Sequence, residues 1–490
     1  MCDGYKVDHR RQYPDDTIKV YSNWTPRMSR IPGVDKVVVF GIQYFIKKYL
    51  IDDFNQNFFS KPIDEVCAKF TRRINNYLGP NQVGEQHIRD LHALGYMPIK
   101  IKALPEGTLC PIGVPMLTIT NTEWDQFWLT NFLETIMSCI LWKPQTSATT
   151  AFQYYKEFLR HANLTGSPKD FIQWQGHDFS FRGMSGLEDA CMSGAGHLLS
   201  FTGTDTIPAI DFLEEYYGAD SDKELIGGSV PATEHSVMCM GMKDNELETF
   251  ERLITEVYPN GLVSIVSDTW DFWQVMTTYL PALKEDIMAR DGRVVIRPDS
   301  GCPEDIICGR PGELSEAEAK GAYEVMWDLF GGTINEQGYK VLDTHIGLIY
   351  GDSITLDRQK VILSRLEAKG FCASNLVLGI GSFTYEYVTR DTFGFAMKAT
   401  YGEVLEHTLD GANVMPKYIF KNPKTDSGFK KSAKGLLKVV DDRGRLILKD
   451  EVSAEAEEAD DNMLQVVFLD GKLIKEFTLD EIRKRLKSQL

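Results

Sequence analysis

Arg293-Val294-Val295-Ile296-Arg297-Pro298-Asp299-Ser300-Gly301 runs from a short apolar stretch straight into a cation, a rigid residue, an anion, a hydroxyl and a glycine. The apolar part reads as a buried strand. Pro298 cannot donate to a sheet ladder, so the strand ends there. Arg297 and Asp299 then stand at a strand's carboxyl end, where α/β folds keep their chemistry. An arginine in that place can clamp phosphate oxygens through two parallel hydrogen bonds. A salt-bridged strand end would satisfy the same residues.

The pattern recurs on both sides of this stretch. Ile265-Val266-Ser267-Asp268 precedes a helical stretch over 270–290, and the strand at 294 precedes another over 314–330. Ile346-Gly347-Leu348-Ile349-Tyr350-Gly351-Asp352 precedes 355–369, and Leu376-Val377-Leu378-Gly379-Ile380-Gly381-Ser382 follows. Unalternated apolar strands that take turns with helices indicate a parallel sheet covered on both faces. The strand ends, Asp268, Asp299, Asp352 and Gly381, fit an α/β protein whose irregular β/α barrel carries a site at its C-terminal mouth. A doubly wound open sheet is the alternative.

Outside this region the rhythm is that of strands. Residues 98–103 and 114–119 alternate on either side of the turn Pro105-Glu106-Gly107. Aromatic-rich helices are expected over 122–142 and 148–163. Strands return at 418–420, 436–440, 446–448 and 464–468 and are expected to complete the first sheet. The spacing thus predicts a barrel over 165–399 and a second, mainly β domain built from both chain ends, 1–164 with 400–490. Thr478 with Glu481 forms a capping box for a final helix. The acidic run over 450–461 reads as a solvated loop.

A net charge of −17 over 490 residues argues against a general nucleic-acid binder, so any phosphate site is a local cluster of cations. The first residues lack the apolar core of a signal peptide. The most apolar long run, 127–142, is interrupted by Asn131 and Glu134, so no membrane partner is expected. The nine cysteines are scattered, odd in number and without CxxC spacing. They read as reduced thiols of a cytoplasmic protein. Cys302 and Cys308 alone are a weak metal pair.

Other stretches carry chemistry. In His177-Asp178-Phe179-Ser180-Phe181-Arg182-Gly183, a strand would put Phe179 and Phe181 on one face and Arg182 on the other. A flat aromatic beside a cation suits a ligand with a ring and a phosphate; a core aromatic beside a surface arginine is the alternative. Gly203-Thr204-Asp205-Thr206 precedes a helix over 207–218. Asp205 or Thr206 there is either its N-cap or, for Asp205, an acceptor for a neutral donor such as an amide. Ser229-Val230-Pro231-Ala232-Thr233-Glu234-His235-Ser236 sets a histidine in a rigid turn, as a base, a phosphoryl acceptor or a structural residue. No HExxH or Ser-His-Asp pattern supports a zinc protease or hydrolase. Gly379-Ile380-Gly381-Ser382 can present backbone N–H groups to a phosphate or can simply turn the chain.

Taken in order, these motifs resemble those of the nicotinamide phosphoribosyltransferase family nearly end to end. They are Asp3-Gly4-Tyr5-Lys6 with Gln12-Tyr13-Pro14, His177-Asp178-Phe179 with Arg182-Gly183, Gly203-Thr204-Asp205-Thr206, Val230-Pro231-Ala232-Thr233-Glu234-His235, Ser267-Asp268, Arg297-Pro298-Asp299-Ser300-Gly301, Gly351-Asp352 and Thr389-Arg390-Asp391. The resemblance implies formation of nicotinamide mononucleotide and pyrophosphate from nicotinamide and phosphoribosyl pyrophosphate, in NAD salvage. It implies Mg²⁺ with the pyrophosphate, ATP as co-substrate, and a homodimer with sites at its interface. Phe179 and Tyr5 of the partner chain would sandwich the pyridine ring, and Asp205 would accept the carboxamide N–H. Arg182, Arg297 and His235 would face the pyrophosphate, with Asp268 also among the catalytic residues. Asp299, Gly351 and Asp352 would hold the ribose; Gly381, Ser382 and Arg390 would hold the nucleotide phosphate. Arg27, Lys398 and Lys421 look like further phosphate contacts, and the residue matching His235 is phosphorylated by ATP in the family. Two positions depart from the family pattern: Gly4 stands where serine is commoner, and the phosphate loop is Gly-Ile-Gly-Ser-Phe rather than an all-glycine run. The alternatives are a nicotinate phosphoribosyltransferase and a non-catalytic binding descendant. A barrel aldolase would want a Schiff-base lysine, which none of the four strand ends has.

Overall fold

Val294–Arg297 forms a strand and ends at Pro298 in the computed structural model, which describes residues 2–312, 314–351, 353–425 and 431–490. It pairs in parallel with Val263–Val266 on one side and Ile346–Tyr350 on the other. From there the parallel sheet continues through Leu376–Ile380 and Gly176–Asp178 to Gly203–Thr204. Bridges Gly203–Gly228 and Ala232–Ser264, also parallel, link both sheet edges through the segment between them. The sheet therefore curls into an irregular barrel, not an open doubly wound sheet. Val263–Val266 and Ile346–Tyr350 are buried at every position, which is why their sequences do not alternate. Ile265, Ile296, Leu348, Tyr350 and Leu378 pack in one core with Tyr154, Phe158 and Phe201. Each such side chain contributes about 1.5–3 kcal/mol on burial.

These strands belong to one of two compact units, Thr150–Asp211 with Asp220–Tyr387. The other unit is Met1–Thr149, Phe212–Ala219 and Val388–Leu490. Residue spacing suggests breaks at 164/165 and 399/400; packing places them at 149/150 and 387/388. Of the expected barrel helices, Leu356–Ala368 is continuous and capped by the Thr355 side chain. The stretch over 314–330 breaks at Gly321, whose φ of +85° places it in the left-handed region. A Cβ there would meet the Gly309 amide nitrogen at 2.1 Å, so only glycine fits.

The other unit holds a seven-stranded antiparallel sheet. Its order is Gly411–Tyr418, Ala396–Thr408, Thr17–Thr25, Leu117–Asn121, Ile99–Ala103, Gln465–Leu469 and Lys472–Leu473. Both chain ends thus build it, as expected, but with different members. Thr17–Thr25 and Ala396–Thr408 are interior strands that alternation did not reveal, because Thr17–Thr25 is buried on both faces. Leu436–Asp442 and Arg445–Val452 pair with each other instead of joining the sheet. The expected strand over 114–119 begins only at Leu117. The helices expected over 122–142 and 148–163 join from Glu134 on into a single helix, Glu134–Thr165, that accommodates Pro144, whereas the start of the first holds only the 3₁₀ turn Trp124–Gln126 and the short helix Leu129–Phe132. The acidic run is not simply a solvated loop. It holds the end of Arg445–Val452 and the helix Ala454–Glu457, and Glu457 is buried 3.1 Å from the Lys102 ammonium. A buried lysine needs that counter-charge.

Glu106, 1 % exposed, caps the helix Ile42–Phe45 from outside its sequence by accepting the N–H groups of Gln43 at 2.6 Å and Gly41 at 3.2 Å. Burial pushes its pKa up to about 7, against the lowering effect of these amides and the Tyr217 hydroxyl. The folded state therefore holds this proton more tightly than the unfolded chain. Its contribution to stability is full below about pH 4.5 and is lost as pH rises through about 7. Between pH 4.5 and 7.5 the wild type should lose on the order of 3 kcal/mol relative to Glu106→Gln, measured by urea unfolding at each pH.

Candidate active site

Strand Gly176–Asp178 ends one residue before Phe179, whose N–H donates to the Ile380 carbonyl at 3.0 Å. The chain then leaves the extended conformation, and Phe181–Gly183 is a 3₁₀ turn. Phe179 and Phe181 therefore do not share a strand face: Phe181 is exposed, while Phe179 packs over two glycines. A Cβ on Gly379 would lie 2.4 Å from the Phe179 ring, and one on Gly351 would lie 3.6 Å away. The ring can lie flat on this wall only because both positions lack side chains. The imidazole of His177 stands 4.5 Å from it, centroid to centroid.

Asp205 follows strand Gly203–Thr204 and is fixed by its own N–H, which donates to the Asp178 carbonyl at 2.9 Å. Its Oδ1 takes both protein donors, His177 Nε2 at 2.9 Å and Ser229 Oγ at 2.6 Å. Partial burial opposes ionisation, but His177, Ser229 and the Arg297 charge together hold the carboxyl below its usual range. Oδ2 takes no protein hydrogen bond among the described residues. Phe179, Asp205, His177, Ser229 and Arg297 line one cavity of about 1060 Å³.

The Arg297 guanidinium donates to the Thr233 carbonyl. Burial lowers its pKa, as does the nearby Arg182, against the opposing charges of Asp299, Asp205 and Asp268. Two arginines held close together make a site for a multiply charged anion. Asp299 donates its N–H to Asp268 Oδ2 at 2.9 Å. The turn after it is pinned from below by the buried Tyr350, whose hydroxyl lies 2.8 Å from the Ser300 carbonyl and 3.1 Å from that of Gly301. Gly301 has a φ of +91°. A Cβ on Gly351 would come within 3.2 Å of Asp299 Oδ1, which brings these two expected ribose contacts together. Asp352 lies outside the described residues. In the phosphate loop Gly381 has open space where a Cβ would be, whereas Ser382 Oγ packs where a Cβ on Gly183 would sit. The loop and the Arg182 turn therefore touch.

His235 opens the helix His235–Met240 and is about half exposed. Its Nδ1 lies 3.2 Å from Thr269 Oγ1, and its Nε2 lies 4.0 Å from Asp268 Oδ1. That Asp268 oxygen is buried without a hydrogen-bond partner. No cluster of three or more potential metal ligands occurs among the described residues. Cys302 and Cys308 do not form a pair: one thiol meets the Glu304 carboxylate, the other the Ile362 carbonyl.

The remaining expected residues lie in the sheet unit. Tyr5 sits in the 3₁₀ helix Gly4–Arg11 and is 65 % exposed. A side chain at Gly4 would start 2.1 Å from the Tyr77 hydroxyl, which gives a local reason for glycine there. Arg27 donates to the Gly394 carbonyl at 3.0 Å. Burial lowers the pKa of Lys398, and Arg27, Lys421 and Arg390 add to that lowering against Glu134. These four cations are thus one electrostatic cluster, and Arg27 and Lys398 line a cavity of about 510 Å³ with Lys431. His177 and Ser229 stand inside motifs that assign them no role; His177 precedes Phe179 by two residues, the spacing that sets side chains of an extended chain on one side.

Residues 174–471 match the nicotinate phosphoribosyltransferase family, and residues 1–101 match the nicotinamide phosphoribosyltransferase N-terminal domain. A nicotinamide phosphoribosyltransferase of Acinetobacter baylyi is 52 % identical over all of this chain and 96 % of its own length. One of Mycoplasma pneumoniae is 35 % identical over 81 % of this chain and 88 % of its own. Among solved structures, nicotinate-nucleotide pyrophosphorylase from Pyrococcus furiosus superposes with a TM-score of 0.58 at 15 % identity, over 100 % of this chain and 94 % of that one. That likeness shows the fold.

Proposed function

The chain belongs to the nicotinamide phosphoribosyltransferase family of pentosyltransferases, and on that premise we propose that it joins nicotinamide to phosphoribosyl pyrophosphate, coupled to ATP hydrolysis through phosphorylated His235. The observation that carries the reading is Asp205. Two donors hold its carboxylate through one oxygen, on the wall of a cavity it shares with Phe179 and Arg297.

The pyridine nitrogen attacks the anomeric carbon with its own lone pair, so no base need remove a proton. The site has instead to stabilise an oxocarbenium-like transition state and the departing pyrophosphate. Preorganised charge does this best, and Arg182 and Arg297 supply it. Mg²⁺, when bound to the pyrophosphate, adds neutralising charge. Asp268 fits it, because its buried Oδ1 lacks a hydrogen-bond partner. Asp299 and Gly351 hold the ribose, and Gly381 and Ser382 take the nucleotide phosphate. The product ring is a cation, and the face of Phe179 favours it by roughly 0.5–2 kcal/mol.

Asp205 also chooses the base. Nicotinate would set a second carboxylate against it, while the nicotinamide carboxamide donates. Asp205→Asn should reduce the preference for nicotinamide over nicotinate by about tenfold or more. Parallel product assays with both bases test this, and an unchanged preference would remove Asp205 from base recognition.

The site is completed by a second copy. Tyr5 is exposed, as are Val414, Met415, Tyr418, Ile419 and Phe420 on and beyond the edge strand Gly411–Tyr418. An apolar, unpaired edge of this kind is suited to cover by a partner. Mixing and refolding Tyr5→Ala with Phe179→Ala should restore activity to about a quarter of wild type, because half the dimers then carry one intact site. Activity that stays at the level of the separate variants would rule out sharing. The nine free cysteines suit a reducing compartment, the cytoplasm. No helix among the described residues is long and apolar enough to cross a membrane.

A further inference from the structure

His197 is fully buried at the last position of the helix Leu187–His197. Its Nε2 lies 3.0 Å from the Gly203 carbonyl, and its Nδ1 lies 2.6 Å from the Tyr385 hydroxyl. A carbonyl only accepts, so Nε2 carries the hydrogen. Burial holds the imidazole neutral, with its pKa lowered to about 4 against the pull of the Asp178 carboxylate. Nδ1 is then an acceptor, and Tyr385 donates to it. Each group in this chain of two hydrogen bonds has one available role.

The two ends of the chain belong to different parts of the site. Tyr385 closes the short helix Ser382–Tyr385, and its N–H donates to the Gly381 carbonyl of the phosphate loop at 3.2 Å. Gly203 begins the strand Gly203–Thr204, two residues before Asp205. Both side chains are buried, and Phe201 stacks on the imidazole at 5.1 Å, so the link has no room to swing. The Asp178 carboxylate accepts the Ser180 N–H at 2.9 Å, and a Cβ on Gly194, one turn before His197, would meet Ala209 at 2.7 Å and Asp178 Oδ2 at 3.3 Å.

We propose that His197 and Tyr385 are positioning residues that fix the phosphate loop and the Asp205 strand against each other, setting the distance between the two ends of the nucleotide product. This rests on the reaction proposed above. The link touches neither substrate, so its loss should weaken both binding ends together and leave the chemistry itself available.

Tyr385→Phe removes one oxygen from a buried ring and is the first variant to measure. The KM values for nicotinamide and for phosphoribosyl pyrophosphate should both rise by about fivefold or more. His197→Phe should do the same, and the double variant should be no worse than either single one. His197→Gln should recover most of the loss, because its amide N–H can reach the Gly203 carbonyl while its oxygen accepts from Tyr385. Melting temperatures are recorded alongside. A Tyr385→Phe protein that melts lower but keeps both KM values would reduce the pair to a structural role and overturn the proposal. So would a rise in one KM alone, or additive effects in the double variant. Absence of turnover in the wild type would overturn the assigned reaction instead, and is tested first.

Discussion

Replacing Arg297 with methionine should lower kcat/KM for phosphoribosyl pyrophosphate by about 10²–10³-fold, with most of the loss in kcat. The guanidinium is anchored to the Thr233 carbonyl, and Arg182 is close enough to disfavour its charge. An anion arriving between the two groups relieves that repulsion. The leaving pyrophosphate gains charge as its bond to the sugar breaks, so the relief is greatest in the transition state. Lysine should not rescue the variant, because a point charge cannot make the two parallel bonds of a guanidinium or reach Thr233 in the same pose. Steady-state kinetics at saturating Mg²⁺ measure the effect. A change confined to KM would mean that Arg297 only binds the substrate.

His235→Ala should abolish stimulation by ATP and leave slow, uncoupled turnover. In the proposed step an imidazole nitrogen attacks the γ-phosphoryl group, its bond to the β-phosphate oxygen breaks, and ADP leaves. The group is suited to this: half exposed, opening a helix, with Thr269 on one ring nitrogen and Asp268 4.0 Å from the other. The phosphorylated residue would add negative charge beside the orphaned Asp268 oxygen, where it would help to hold Mg²⁺. Turnover with and without ATP, together with release of ADP, separates the outcomes. Full ATP stimulation in the alanine variant would contradict the assignment. Because His235 is exposed and touches little of the core, its replacement should leave the melting temperature nearly unchanged.

Residue order alone carries much of this protein. Pro298 ends its strand for a covalent reason, the missing N–H, and the apolar runs at 265, 294, 346 and 376 lie in the expected parallel strands, two of which, Val263–Val266 and Ile346–Tyr350, are buried at every position. The Thr478 capping box depends on residues three apart and forms as read. Motif order likewise marked Phe179, Arg182, Asp205, His235 and Arg297 without any coordinates. What lay beyond reach is what depends on partners distant in sequence. Thr17–Thr25 pairs with Ala396–Thr408, and Glu457 is buried because Lys102 reaches it. Long-range pairing and the neutralisation of buried charge are settled by packing, not by local pattern. The same holds in the site: only folding shows that both donors to Asp205 fall on one oxygen, and that Gly379 is glycine so that Phe179 can lie against it. Residue types and their spacing decide which groups are available for chemistry; distances of a few ångströms decide which of their atoms remain free for a ligand, and those distances exist only once the sheet has closed.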